Sequence, residues 1–367
     1  MDKIDNLTVQ RVIDTANDHI VDIIGKFVTL KKKGARYFGL CPFHDDRNAT
    51  NFTVNQTRRL YKCFACGAGG DAIKFLMEHL NLKFMDAIRW VGQEYGIPID
   101  DVPVNYTPPP RKEPEPLPMF EVPLSEVIRS ERLDHDTLVK WICSLPWDAS
   151  QAGRIDRALN EYYIGHSKFG HTIFWQIDEQ QRVRTGKMML YKEDGHRAKN
   201  VDYNFDFIHA RLFRDKSLPQ YDEDKCEVKQ CLFGQHLLNA WPNAQVNIVE
   251  SEKTALLMAI AYGNHAADIW MACGGLYNIT KEKLQPLTSQ GRTIVLFPDR
   301  DGIEKWKNKA AELKTEMKYQ DISVNTNYVG KYWLPEDGPK ADIADVVLRF
   351  LDVDNRKQYH GRQTKVS

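Results

Sequence analysis

QVNIVESEKTALLMAIAYGNHAADIWMACGGLYNITKEKLQPLTSQGRTIVLFPDRDG, residues 245–302, decides the architecture. Val246-Asn247-Ile248-Val249 reads as a short buried strand. EKTALLMAIAY, residues 252–262, is long enough for a helix and closes at Gly263. Ile269–Ala272 is a second strand ending in Gly274-Gly275, residues 281–290 are helical, and Thr293–Phe297 is a third strand. Beyond the quoted stretch the rhythm continues, with a helix over 303–318, a strand over Ser323–Val329 and a helix over 343–352. Strands alternating with helices predict a doubly wound parallel α/β sheet. Such a sheet binds ligands at the carboxyl ends of its strands. Glu250 ends one strand, and Asp299 and Asp301 follow another. Acids gathered there repel unless a cation neutralises them. Mg²⁺ or Mn²⁺ fits, because a hard cation takes carboxylate oxygens and keeps positions open for phosphates, which is the setting for phosphoryl transfer. The bland alternative is that these acids cap helices. Asp342 and Asp345, in GPKADIADVV, are open to both readings, a second metal or a helix cap.

Working towards the N-terminus, residues 120–240 read as a mixed α+β segment. Ile128–Ile142 has helical character, His171–Ile177 and Lys187–Tyr191 have strand character, and 214–229 reads as a loop. Residues 103–119 hold seven prolines, which fix φ and remove donors, so this is a semi-rigid linker between two folding units. The first unit, residues 1–102, opens with Val9, Val12, Ile13, Ala16, Ile20 and Ile23 at helical spacing, predicting an amphipathic helix over 8–25. Short strand-like pieces fill 36–63, Asp71 caps a following helix, and another helix near 84–95 stops at Gly96. The other boundaries fall at 120–240, 241–353 and a tail, 354–367, too poor in apolar residues to fold.

Inside the first unit, Cys41-Pro-Phe-His44 and Cys63-Phe-Ala-Cys66 are two C-x-x-ligand turns. Each aims two donors at one spot, and together they form the N/S set of a structural Zn²⁺ site. Cys143, Cys226, Cys231 and Cys273 lack such pairing and read as buried thiols. Lys31, Lys32, Lys33 and Arg36 precede the first turn, and Arg58, Arg59 and Lys62 the second. Residues 26–74 carry ten Lys and Arg against three Asp. Such a local excess attracts phosphates, and the interleaved Phe43, Phe52, Tyr61 and Phe64 suit single-stranded nucleic acid, whose bases stack on aromatics. The competing expectation, that Phe52 and Phe64 pack the ribbon core, is the stronger for those two.

The chain has 367 residues, with 50 Lys+Arg balanced by 50 Asp+Glu, so net charge carries no message and its distribution does. No run of eighteen apolar residues predicts a membrane span, and the polar N-terminus MDKIDNLTVQ is no secretory signal, which together point to a cytoplasmic protein.

CPFHDDRNATNFTVNQTRRLYKCFACGAGGDAIKF, continued by MDAIRWVGQEYGIPI, resembles the N-terminal zinc ribbon of DnaG-type bacterial and phage DNA primases. NIVESEKTALLM with LFPDRDG resembles the Toprim domain that those primases share with topoisomerases and some nucleases. The resemblance implies an α+β zinc-ribbon module followed by a Toprim-like sheet. It implies one structural Zn²⁺, catalytic Mg²⁺ or Mn²⁺ on Glu250, Asp299 and Asp301, and synthesis of RNA primers from ribonucleoside triphosphates on a single-stranded DNA template. HTIFWQIDEQQRVRTGKMMLY and CLFGQHLL resemble the primase segment before Toprim, where basic residues hold template or nucleotide. Lys187, Lys192, Arg197, Lys199 and Arg300 are the phosphate-contact candidates. Two departures stand out: Ser251 where Gly is usual, and Thr254 where many members have Asp. The sequence contains no G-x-x-x-x-G-K run, so a replicative helicase is expected as a separate partner. The short middle segment suggests a primase of a mobile element. Two other functions compete: an inactive single-strand-binding accessory protein, and a nuclease or recombination mediator, which the primase-like ribbon disfavours.

Overall fold

The computed structural model describes residues 6–34, 36–46, 49–99, 117–131, 133, 135–215, 218, 221–222, 225–326, 332–334 and 337–351. The expected linker, apart from 117–119, and the expected tail lie outside the described residues. The chain divides into two compact units, Met1–Pro116 and Leu117–Ser367. Among the described residues no helix is long and apolar enough to cross a membrane.

In the first unit, α1 (Asn6–Asp18) and α2 (Ile20–Gly25) replace the single expected helix. The break is at His19, whose φ of −110° and ψ of 23° leave the helical region. The apolar stripe keeps its phase across it, so Val9, Val12, Ala16, Ile20 and Ile23 are all buried. Five strands follow as an antiparallel meander: β1 (Lys31–Lys33), β2 (Arg36–Gly39), β3 (Phe52–Asn55), β4 (Leu60–Cys63) and β5 (Gly69–Gly70). α3 (Ala72–His79) starts on Asp71, whose carboxylate accepts from Lys74 N–H as the sequence predicts, and α4 (Phe84–Glu94) follows. The helices cover one face of the sheet, burying Val54 and Tyr61 with Phe75 in a single core.

The second unit opens with α5 (Leu124–Arg129) and α6 (Thr137–Ser144), where one helix over 128–142 was expected. Buried Asp136 separates them: its carboxylate caps α6 at Val139 N and also accepts from Thr172 Oγ1, 2.9 Å away. α7 (Ala149–Ala152) and α8 (Ile155–Glu161) lead into an antiparallel sheet of β6 (Gly165–His166), β7 (Thr172–Ile177), β8 (Val183–Met189) and β9 (Phe205–Phe207). Every residue of β7 and β8 is buried. One face gives Phe174 and Met189 to the main core, and the other packs Ile173, Trp175 and Ile177 on Phe120, Val122 and Val127. α9 (Ile208–Arg214) and α10 (Leu237–Ala240) precede the parallel sheet.

That sheet comprises β10 (Gln245–Val249), β11 (Asp268–Ala272), β12 (Ile294–Phe297) and β13 (Ile322–Val324), in the order β11-β10-β12-β13, with every pairing parallel. α11 (Glu252–Tyr262), α12 (Lys281–Ser289), α13 (Ile303–Met317) and α14 (Ile343–Leu351) supply the crossovers and the final helix, consistent with a Toprim-like fold. The last strand is shorter than the expected Ser323–Val329, of which 327–329 lie outside the described residues. The main core runs from α6 and α8 through β7 to the parallel sheet, so the described residues of 120–240 and of 241–351 pack as one body.

Candidate metal centres and nucleic-acid face

Parallel strand order fixes where the acids go. Glu250 leaves the end of β10, and Asp299 and Asp301 flank the turn between β12 and α13. Asp299 N–H donates to Glu250 Oε1 at 3.4 Å. Gly302 leaves room for that carboxylate, since a Cβ there would lie 2.7 Å from Glu250 Oε1 and 2.9 Å from Leu276 Cδ1. The turn is held from outside: Arg300 N–H donates to Ala341 O and Asp301 N–H to Pro339 O, each at 2.9 Å. Burial, then the charges of Glu250 and Asp342, push the Asp299 carboxyl up to about 8. Burial also raises Glu250. The Asp299 N–H bond opposes this at Glu250, and the Lys340 charge opposes it at both groups, with Nζ 2.7 Å from Asp301 Oδ2. Three carboxyl groups near one exposed ammonium leave a deficit of positive charge that a divalent cation would offset, although among the described residues only Cys41, His44, Cys63 and Cys66 bring three or more donor groups close enough together to hold a metal.

Asp342 is committed to α14. Its Oδ1 accepts from Ala344 N (2.8 Å) and Asp345 N (3.2 Å), while Asp345 Oδ2 accepts from Asp342 N (2.9 Å), a reciprocal cap. Its Oδ2 accepts from Thr254 Oγ1 at 2.5 Å. A carboxylate in place of Thr254 would face Asp342 with like charge, so the hydroxyl suits this site.

Of the five phosphate-contact candidates, Lys192, Arg197 and Lys199 are exposed after β8. Arg300 stacks over Trp333 at 5.5 Å and donates to Asp337 O at 2.6 Å. Lys187 is buried against Glu252, a residue that sequence reasoning missed. The signal for Glu252 was present: α11 is apolar on all sides, so a charge in its first turn needs a buried partner.

In the first unit the donor atoms of Cys41, His44, Cys63 and Cys66 lie within 4.8 Å of one another. Cys41 Sγ and Cys66 Sγ are 3.8 Å apart. Two sulfurs at Zn–S distances of about 2.3 Å on a tetrahedron would be separated by about 3.8 Å. His44 Nδ1 is buried without a hydrogen-bond partner, as a ligand nitrogen awaiting a metal would be. Burial pushes the Cys41 thiol up to about 12, so metal binding there must displace its proton. Gly67, at φ +81°, lets the second turn close. Asp46, which the sequence reading passed over, accepts from Cys41 N–H (2.9 Å) and Asn51 Nδ2 (2.8 Å), with Oδ1 3.8 Å from His44 Nε2. It braces both ligands of the first turn.

Residues 4–106 match the model of the CHC2 zinc finger family, the zinc ribbon of DnaG. This N-terminal module is a CHC2 zinc ribbon. A DNA primase of Clostridium acetobutylicum is 43% identical over 93 residues, 25% of this chain and 15% of the relative. One from Synechococcus elongatus is 45% identical over 86 residues, 23% of this chain and 12% of the relative. The chain thus spans about a seventh of the length of the curated relatives it matches. Residues 136–300 match a domain family of unknown function, DUF6371. Among solved structures, the Aquifex aeolicus primase (zinc-binding and RNA polymerase domains) overlaps 93% of this chain and 81% of its own at 16% identity and TM-score 0.32. The primase fragment of the bacteriophage T7 primase-helicase overlaps 88% and 99% at 13% identity and TM-score 0.37. Overlaps that shallow establish no function.

In the CHC2 ribbon, strand pairing sorts the basic residues. Lys31 pairs with Phe38, Phe38 with Thr53 and Thr53 with Lys62. Lys33, Arg36, Asn55 and Leu60 form the next row of the same face. This face, opposite the helices, carries Lys31, Lys33, Arg36 and Lys62 beside Phe38 and Leu60. Lys32 falls on the other face, its ammonium 5.7 Å from the Tyr37 ring. Arg58 and Arg59 are exposed in the β3–β4 turn, with Arg59 paired to Asp18. Phe52 is fully buried as expected, whereas Phe64, expected in the core, is 67% exposed at the tip of the second zinc turn. Cys231 and Cys273 are buried as expected, whereas Cys226 is half-buried and Cys143 is exposed, contrary to the expectation for those two. Cys143 falls on the outer side of the short helix α6, away from its buried Leu138, Val139 and Ile142.

Proposed function

We propose that this chain is a DNA primase, which copies a single-stranded DNA template into a short RNA primer by metal-dependent nucleotidyl transfer. The observation that carries this reading is the grouping of buried Glu250, half-buried Asp299 and exposed Asp301 at one sheet edge, where their charges help raise the Asp299 carboxyl, in a chain whose other unit is a CHC2 ribbon. In the reaction the 3′-hydroxyl of one nucleotide attacks the α-phosphorus of an incoming ribonucleoside triphosphate, and pyrophosphate leaves. Mg²⁺ or Mn²⁺ on the three carboxylates would neutralise the charge that develops on the transferring phosphoryl group. Glu250 and Asp299 supply fixed, partly buried oxygens. Asp301, now paired with Lys340, would be the third residue to hold the cation, and the exposed Lys340 ammonium could then meet a phosphate oxygen. The ribbon's basic face holds the template backbone, and Phe64 offers a ring for base stacking. A separate replicative helicase, a mobile-element setting and a cytoplasmic location complete the proposal.

The competing reading is a single-strand-binding protein with an inactive core, and Thr254, neutral and bonded to Asp342, is the observation that favours it. Incubation with ribonucleoside triphosphates, Mg²⁺ or Mn²⁺ and varied single-stranded templates separates the two. Primers of defined length support the enzyme, whereas template binding without products in any condition supports the accessory protein.

A further inference from the structure

Lys187 in β8 and Glu252 in α11 form a buried ion pair. Lys187 Nζ lies 3.0 and 2.9 Å from the two Glu252 carboxylate oxygens, and the residues are 6% and 2% exposed. Desolvating two charges is costly, and apolar residues of the same volume often stabilise a core as well or better. Fold stability alone therefore gives no reason for this pair.

Its neighbours give one. Lys187 Nζ also donates to Gly274 O at 3.3 Å. The N–H of Gly274 donates to the carbonyl of Glu250 (3.0 Å), and the N–H of Cys273 to that of Val249 (3.1 Å). The peptide that carries Glu250 is thus held by the Cys273–Gly274 segment. That segment is held in turn by two buried lysines, since Lys283 Nζ donates to Cys273 O at 3.0 Å. Gly274 itself is confined: φ is +86°, and a Cβ would lie 3.1 Å from Glu252 Oε1. Every link between Lys187 and the Glu250 backbone is a hydrogen bond within the protein, so the ammonium has no direction left for a phosphate.

We propose that the Lys187–Glu252 pair is a positioning device, which locks the peptide of Glu250 to β8 so that the carboxylates hold their cation only when the antiparallel and parallel sheets are docked. The inference rests on the reading of Glu250, Asp299 and Asp301 as a divalent-cation site. Lys187 and Glu252 touch neither metal nor substrate.

The test is Mn²⁺ titration by calorimetry on full-length, zinc-loaded protein, with melting temperature and ribonucleoside triphosphate affinity measured on the same samples. Glu252→Gln keeps the shape and one acceptor. Lys187→Met combined with Glu252→Leu removes both charges and leaves no ion unpaired. The expected order of Mn²⁺ affinity is wild type, then Glu252→Gln, then the double variant, which loses tenfold or more while melting close to wild type. Equal Mn²⁺ affinity in all three would overturn the proposal. Unchanged Mn²⁺ affinity with weakened nucleotide binding would overturn it in favour of a phosphate contact. A wild type whose Mn²⁺ binding is absent, or indifferent to Glu250→Gln, would overturn the cation-site reading and this inference together.

Discussion

Asp299→Asn isolates the electrostatics of the acid cluster. The carboxyl titrates at about 8 in the folded protein without a cation, because it is buried beside Glu250 and Asp342. An unfolded chain titrates it at about 3.9. Between these values the folded form keeps a proton that the unfolded form has lost. The stability this group contributes is therefore complete below about pH 4, declines as pH rises, and is gone above about pH 8. At about 1.4 kcal/mol per pH unit, the interval from pH 6 to pH 8 costs the wild type about 2–3 kcal/mol. Asn has the shape of the protonated acid and no titration. In urea unfolding without added Mg²⁺ or Mn²⁺, the variant should therefore gain about 2–3 kcal/mol on wild type between pH 6 and pH 9. Added Mn²⁺ should cancel the wild-type loss and leave the variant unmoved. The same pH dependence in both proteins would refute the claim that Asp299 sits in an uncompensated negative cluster.

Cys63→Ser with Cys66→Ser should abolish the single bound zinc by elemental analysis, and undiminished zinc would remove the assignment. Asp46→Ala should weaken zinc binding by about 10–100-fold in chelator competition, because it frees both ligands of the first turn. Replacing Lys31, Lys33 and Lys62 with Ala should flatten the salt dependence of single-strand DNA binding by about 2–3 in slope. Lys32→Ala, on the opposite face, should change that slope little. Gly302→Ala should weaken Mn²⁺ binding, since the new methyl group meets Glu250 Oε1 and Leu276, and affinity equal to wild type would show that the carboxylate does not depend on that space.

The parallel sheet was legible because, of its central strands, β12 is an unbroken apolar run and β10 is interrupted only by Asn247 after its opening Gln245, with the crossover helices between them. Glu250 and Asp299 could be placed at its carboxyl edge from strand order alone. The zinc ligands were legible from donor spacing. In the middle segment the strand expected over His171–Ile177 is β7, whereas β8 starts four residues before the expected Lys187–Tyr191, since both strands lie between two cores and show no alternation to mark their ends. The helix expected over 128–142 is split: α5 stops at Arg129, and Asp136, bonded to Thr172 and His166, caps the start of α6. Phe64 was misplaced because spacing alone does not tell whether a ring beside a zinc turn faces inwards or outwards. Lys187 read as a phosphate-contact candidate in a basic stretch, and its partner Glu252 becomes its neighbour only when the two sheets pack.

The central claim, that Glu250, Asp299 and Asp301 hold the cations of a primer-synthesising site, is tested most directly by measuring primer yield and melting temperature on one sample of Glu250→Gln. The substitution removes a charge, keeps the shape and relieves repulsion, so melting should stay at or above wild type. Primer yield should fall by orders of magnitude. Melting reduced by the equivalent of about 1 kcal/mol with yield retained is the signature of a simple helix cap, and it would contradict the account.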